Sequence, residues 1–354
     1  MCLELNNPSP GATPVLSPSG GPAIWIVAAC FNEAGGIQEF IAAIRSQPGI
    51  ERLVLVDDGS KDTSASIIRN LIAQDHQGGS ASPCAAITLI GLTRNFGKEA
   101  AMLAGLDFAK GQCDAVILMD SDLQHPPALI PEMVAAFEAG AEIVTAIRKN
   151  RQGESGLKIA TSRWFYSLFN SLVDSIQLVD GAGDYRLLSA PALEALTRLR
   201  EGVRFSKGLF PWIGFKNVDL LFECPNRTSG TTSWSMSSLW NYALDGIFGF
   251  SLVPLKVWSR LGAIISASSV VYAIYFAVHT LLYGVDVAGF PSLIVAITFL
   301  GGIQLIGIGI LGEYIGRIFL EVKARPVYLV RSIEGSRTSM VSAAPSVSTI
   351  SSAS

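Results

Sequence analysis

The sequence predicts an α/β fold with a mostly parallel sheet, extended by amphipathic interfacial helices and two C-terminal transmembrane helices. Three observations predict it. From Pro22 to Ile147, short apolar runs alternate with stretches of helical periodicity, and strands separated by helices of this length imply right-handed crossovers between parallel neighbours. The 354-residue chain is 49% hydrophobic and 16% charged, an apolar excess that points beyond one soluble domain. That excess is concentrated. No Asp, Glu, Lys or Arg occurs between Arg260 and Asp286, and none between Asp286 and Glu313, so each gap can cross roughly 30 Å of hydrocarbon.

Taken in order, residues 1–22 (MCLELNNPSPGATPVLSPSGGP) carry an acid where a signal peptide would have a basic region, and Pro and Gly break them. No signal peptide is expected there, and the segment reads as a disordered tail. The sheet domain is placed at 23–235. Its expected strands are AIWIVAAC (23–30), RLVLVDD (52–58), AITLIGL (86–92), DAVILMD (114–120) and AEIVTAI (141–147). Between them lie the helical stretches GGIQEFIAAIRSQ, SASIIRNLIAQ, KEAAMLAGLDFAKG and PALIPEMVAAFEAG. Residues 158–173, and the juxtamembrane segment 236–260, are rich in aromatics at helical spacing. They read as helices lying in the bilayer interface, with ordinary core helices as the competing reading. The two spans are placed near Leu261–Tyr283 and Pro291–Gly312, inside 261–316, and 317–354 reads as a C-terminal tail, disordered from about Ser332.

Basic residues set the expected topology. Lys256 and Arg260 precede the first span, Arg317, Lys323, Arg325 and Arg331 follow the second, and the connection VDVAGFP has none. The bulk of the chain and both termini are therefore expected on the cytoplasmic side of a plasma (inner) membrane. Glycines 301, 302, 307, 309, 312 and 316 offer small faces for close helix approach, so a homo-oligomer is expected. Glu313 and Arg317, one turn apart, can pair. Five scattered cysteines without ligand spacing argue for a reducing compartment and against structural zinc. A net charge of −3 leaves no nucleic-acid footprint. No strand is followed by GxGxxG, and GxxxxGK[ST], GxSxG and HExxH are absent.

Open parallel sheets bind ligands at the carboxyl ends of their strands. Those ends carry FNE, DDGS, TRNFGK, DSD and RKN. In ILMDSDLQHPP (117–127), Asp120 and Asp122 lie two residues apart at a strand end, and hard oxygen donors so placed suit Mg²⁺ or Mn²⁺ shared with substrate phosphates. A solvated loop is the bland alternative, weakened because charges at the rim of a core are costly without a neutralising partner. In VDDGSKDTS, Asp62 or Thr63 can cap the next helix, which leaves Asp57 and Asp58 unexplained. His125, before Pro126 and Pro127, reads as a turn-stabilising residue, and His279 as a packing contact within the first span.

In the order IVAACFNE, LVDDGSKDTS, LTRNFGKEAAMLAGLDFAKG, MDSDLQHPP, GDYRLLS and LGEYIGRIFLEVKARPVYLV, the chain resembles the metal-dependent inverting family 2 glycosyltransferases that charge polyprenyl phosphates. With two C-terminal spans it is most similar to their bacterial undecaprenyl-phosphate members. The resemblance covers roughly 22–331. It implies a GT-A (Rossmann-like) catalytic domain that moves a hexose, glucose from UDP-glucose, onto undecaprenyl phosphate with inversion, using Mg²⁺ or Mn²⁺. It further implies a nucleotide-sugar pocket at Ala29, Phe31, Glu33, Val56 and Asp58, and a metal and diphosphate motif at Asp120, Ser121 and Asp122, with Gln124 as an additional metal ligand. Arg148 matches an arginine between donor and acceptor phosphates, Arg163 and Ser167 a pair that holds the lipid phosphate, and Arg227 a contact to the donor diphosphate. Asp184 in GDYRL is either a base or a structural hydrogen-bonding residue.

Departures from the family pattern are Ala29 in place of Pro, Phe31 in place of Tyr, and Ser233 in place of a Lys. The last removes a cation that Lys207 or Lys98 could replace. Alternative donors are GDP-mannose or a UDP-aminosugar. A non-catalytic membrane scaffold is the alternative from another class, although a scaffold has no need of so many converging charges.

Overall fold

The computed structural model describes residues 21–77, 85–149, 165–173, 175–223, 244–283 and 289–335. It divides into two compact units: the first comprises residues 1–135, 187–190 and 328–354, the second 136–186 and 191–327.

In the first unit, strands β1 (Ile24–Cys30), β2 (Ile50–Asp57), β3 (Ala86–Leu92) and β4 (Ala115–Asp120) alternate with helices α1 (Ile37–Arg45), α2 (Ser64–Gln77) and α3 (Lys98–Ala109), and α4 (Ile130–Glu138), whose residues from Ala136 belong to the second unit, follows β4. The strand order is β4-β1-β2-β3, with every pairing parallel. These strands are buried over nearly their whole length, which is why they read as continuous apolar runs without alternation. Helix α3 is buried on almost every side from Ala100 to Leu106, so its small residues set how closely it lies on the sheet. A Cβ at Gly105 would come 2.4 Å from Val27 Cγ1 and 3.1 Å from Val56 Cγ2.

The far edge of this sheet differs from expectation. Val330–Gly335 forms a further strand, β8, antiparallel to β3, where the Ser-rich sequence reads as the start of a disordered tail. Pairing with the exposed edge of β3 outweighs weak local propensity. Arg69 and Glu334 close the edge by a salt bridge of 3.0 Å, and the Tyr328 hydroxyl donates to Asp107 at 2.6 Å.

In the second unit, β5 (Ile143–Arg148) pairs in parallel with β7 (Asn217–Phe222) and neighbours β6 (Ala182–Ser189), whose residues from Leu187 belong to the first unit. Residues 158–164 of the expected interfacial helix lie outside the described residues. Within its helical part, 165–172, Phe169 is fully buried with Val173, Phe205 and Ile247, and Phe250 packs against them. That face is therefore ordinary core.

Two long helices, Val253–Tyr283 and Phe290–Val322, occupy the predicted span region. The first starts eight residues before Leu261 because Pro254 suits a helix start and nothing breaks the helix afterwards. The second runs past Gly312 to Val322, and Arg317 pairs with Glu313 as expected, at 2.8 Å, and with Asp245, also at 2.8 Å. Among the described residues one helix, Phe299–Val322, is long and apolar enough by itself to cross a membrane. Val253–Tyr272 meets that test jointly with Leu244–Phe250, from which it is sharply bent.

Gly105→Ala should destabilise the protein by about 1–3 kcal/mol through overpacking, measured as a lower thermal midpoint. An unchanged midpoint would show that β-branched Val27 and Val56 have room to move.

Candidate active site

The parallel register brings three strand ends to one level, since Ala29 on β1 lies opposite Val56 on β2 and Asp120 on β4. Beyond them the loops are tied together through backbone amides. The Asn32 N–H donates to Ser60 Oγ at 2.9 Å, the Lys61 N–H to Asn32 Oδ1 at 2.9 Å, and the Glu33 N–H to Ser64 Oγ at 2.8 Å. Asn32 adopts a left-handed backbone (φ 56°), a conformation that Asn tolerates better than most residues. Gly59 is required where the second and third loops meet, because at φ +71° a Cβ would stand 2.7 Å from the Arg94 carbonyl carbon.

Asp58, only 3% exposed, accepts the N–H groups of Phe96 at 2.7 Å and Gly97 at 2.8 Å. Burial raises its pKa above the ordinary aspartate value, against the pull of those two N–H bonds. At the end of β4, the Asp120 N–H donates to His125 Nδ1 at 2.9 Å, which is the turn-stabilising role expected of that histidine. Lys98 Nζ stands 2.6 Å from Asp120 Oδ1. Ser121 Oγ donates to the Ala29 carbonyl at 3.0 Å, and the Gln124 N–H to Asp122 Oδ1 at 3.1 Å. Beside these groups, Phe31, Asp57, Ser60, Lys61, Arg94 and Arg331 line a cavity of about 430 Å³.

The sequence matches known proteins. A glycosyl transferase family 2 model matches residues 25–197, and a GtrB C-terminal hairpin model matches 253–318. The bactoprenol glucosyl transferase of Shigella phage SfII is 40% identical over 312 residues, 87% of this chain and 97% of that one. The chain belongs to glycosyltransferase family 2. An uncharacterized glycosyltransferase of Synechocystis sp. is 45% identical over 283 residues, 80% of this chain and 85% of that one. A prophage bactoprenol glucosyl transferase homolog of Escherichia coli is 38% identical over 315 residues, 88% and 99% respectively.

In this glycosyltransferase, a GT-A-like α/β fold gathers Ala29, Phe31, Glu33, Val56, Asp58, Asp120, Ser121, Asp122 and Gln124 in the first unit. Val56 is fully buried and paired on both sides within the sheet, so it sets the floor beneath the site. Phe31 is 41% exposed and offers an open ring face. Arg148, Ser167 and Asp184 lie in the second unit, while Arg163 and Arg227 fall outside the described residues. Arg148 ends β5, where its N–H donates to Gly181 O at 3.1 Å. Sequence reasoning missed Arg186, which is 7% exposed, lies over the Phe210 ring and donates to Thr145 Oγ1 at 3.0 Å. Burial lowers its pKa to about 10, opposed first by Asp184 and then by Asp219. Asp184 therefore serves at least as a counter-charge to a buried guanidinium. An arginine inside the apolar strand pattern YRLL was the available signal.

Among the described residues no group of three or more His, Cys, Asp or Glu side chains forms a ready metal cage. Two carboxylates still fit a hard divalent ion that keeps waters and takes remaining ligands from substrate phosphates. The lysine ammonium already drawn to Asp120 marks that oxygen as accessible to a cation.

The raised Asp58 pKa has a pH consequence. The neutral form is the one the fold favours, so this group's contribution is fully present below the ordinary aspartate pKa, about 4, and fades as pH rises through the raised value. Relative to Asp58→Asn, the wild-type protein should lose thermal stability as pH climbs from about 4. A gain instead would show that the two N–H bonds outweigh burial.

Proposed function

We propose that this glycosyltransferase transfers glucose from UDP-glucose to a polyprenyl phosphate, undecaprenyl phosphate, with inversion, at the cytoplasmic face of the membrane. The observation that carries the reading is the pair Asp120 and Asp122 at the end of β4, with Lys98 on Asp120, in a chain whose relatives are named bactoprenol glucosyl transferases. The match to a C-terminal hairpin over 253–318 supports two spans, and basic residues at their outer ends support a cytoplasmic catalytic domain and termini. Glycines on the second span support a homo-oligomer.

Asp120 and Asp122, with Gln124, would hold Mg²⁺ or Mn²⁺, which when bound supplies Lewis-acid stabilisation of the departing diphosphate. Phe31 and the amide-tied loops after β1 and β2 receive the nucleoside, with Ser121 beside the diphosphate. The acceptor phosphate is already anionic near pH 7, so its oxygen attacks the anomeric carbon directly. One C–O bond forms as the bond to the nucleoside diphosphate breaks, and the configuration inverts. No proton has to be removed, which leaves Asp184 to orient the sugar and neutralise Arg186. Arg148, Arg163 and Ser167 hold the acceptor phosphate against the negatively charged donor, and Arg227 contacts the diphosphate.

Purified protein, undecaprenyl phosphate, divalent metal and a panel of labelled UDP- and GDP-sugars test the reading. Label should enter organic-extractable lipid from UDP-glucose and only with metal. Label from GDP-mannose or a UDP-aminosugar would reassign the donor. Asp122→Ala should lower transfer about 100-fold or more, and full activity in that variant or in EDTA would remove the metal role. Arg163→Ala should raise the lipid-phosphate KM about tenfold and leave the donor KM alone; equal loss of both contradicts its assignment.

A further inference from the structure

We infer that Arg331, on the strand that follows the long C-terminal helices, binds the nucleoside half of the donor. The inference rests on the reading of the donor as a nucleotide sugar, and it deepens that reading by giving the far C-terminal segment a part in the donor site. Strand β8 runs antiparallel to β3, so its first residues lie at the carboxyl end of β3, the edge where ligands bind in such sheets. The pairing slips at this point. Gly91 lies opposite Ser332 and Leu92 opposite Val330, which leaves Arg331 as the extra residue of an irregularity. Bulges of this kind re-aim a side chain next to active sites.

Arg331 Nη2 donates to the Thr93 carbonyl at 2.7 Å, which holds the guanidinium at the cavity that Phe31, Ser60, Lys61 and Arg94 also line. One such bond uses one of five N–H donors. Arg69, which lines the same cavity, is engaged with Glu334 through both carboxylate oxygens. Among the described residues the wall has one carboxylate, Asp57, which accepts the Ser60 N–H at 3.1 Å. The wall is thus cationic around an exposed aromatic ring, which suits a base and ribose whose oxygens accept hydrogen bonds. Four strand steps separate β8 from β4 in the order β4-β1-β2-β3-β8, roughly 19 Å at about 4.8 Å per step. A diphosphate bound near Asp120 therefore leaves the nucleoside, and not the phosphates, for Arg331.

The experiment uses the full-length protein in detergent. UDP affinity, with GDP in parallel, is measured calorimetrically for wild type, Arg331→Ala and Arg331→Lys, together with steady-state KM values for UDP-glucose and undecaprenyl phosphate. Arg331→Ala should weaken UDP binding and raise the donor KM about tenfold, with acceptor KM and thermal midpoint unchanged, and Arg331→Lys should recover part of the loss. Unchanged UDP affinity overturns the inference. So does a parallel rise in both KM values with a lower midpoint, which would make the residue a strand anchor, and so does failure of the wild type to bind either nucleotide. A wild type that binds UDP but transfers nothing to the lipid removes the functional reading alone, because the affinity comparison still decides the role of Arg331.

Discussion

Everything at the site depends on the parallel pairing of β1 with β2 on one side and β4 on the other. Because these strands are buried nearly throughout, their polar continuations have one place to go, the carboxyl edge. Register then decides the chemistry: with Ala29 opposite both Val56 and Asp120, the three loops leave the sheet at the same height. They are not left to find one another. The Asp58 N–H donates to Cys30 O at 3.0 Å, its carboxylate takes two amides of the third loop, and Ser121 reaches back to Ala29. Geometry set by backbone amides needs little reorganisation when a charged ligand arrives, and preorganised dipoles of this kind are the main source of electrostatic catalysis.

The same edge has to manage negative charge. Asp58 is withdrawn from the problem, since it is buried and anchors the loop before α3. Asp120 and Asp122 remain at the surface, where Lys98 offsets part of their repulsion toward an anionic substrate. In the second unit the arrangement is inverted: a buried cation, Arg186, is held by the electrostatic influence of Asp184 and Asp219 and by the ring of Phe210. A general-base role for Asp184 would require it to give up part of that counter-charge function, and direct attack by an already ionised phosphate makes the sacrifice unnecessary.

How far the sequence could be read follows from where each element gets its stability. Strand β3 is Ala86–Leu92 as expected, and β1 and β4 differ from expectation by one residue at their starts, because central two-sided strands are determined by their own apolar runs. The Asp120–Asp122 motif was legible for the same reason, as charge following such a run. Edge strands were not. NVDLLF in β7 is largely exposed, and VRSIEG in β8 reads as a polar tail. Each is a strand only because a neighbour presents an open edge. Arg331 was hidden with β8, and Arg186 was hidden because its partners, Thr145 and Asp219, come from strands far apart in sequence.

Strand β8 also ties the assembly of the site to the order of synthesis. Its partner β3 is made some 240 residues earlier, and both long helices lie between them. Until residues 330–335 exist, β3 presents a row of unpaired backbone groups along its open side, the exposed condition that folded sheets avoid. Local pairing of β1, β2 and β4 can precede this step, but the closure of so long a loop is a late event in folding. A chain that stops after the second long helix therefore lacks more than a tail. It lacks the edge strand, the Tyr328–Asp107 and Glu334–Arg69 ties that hold it, and the guanidinium that strand delivers to the cavity lined by Phe31, Lys61 and Arg94.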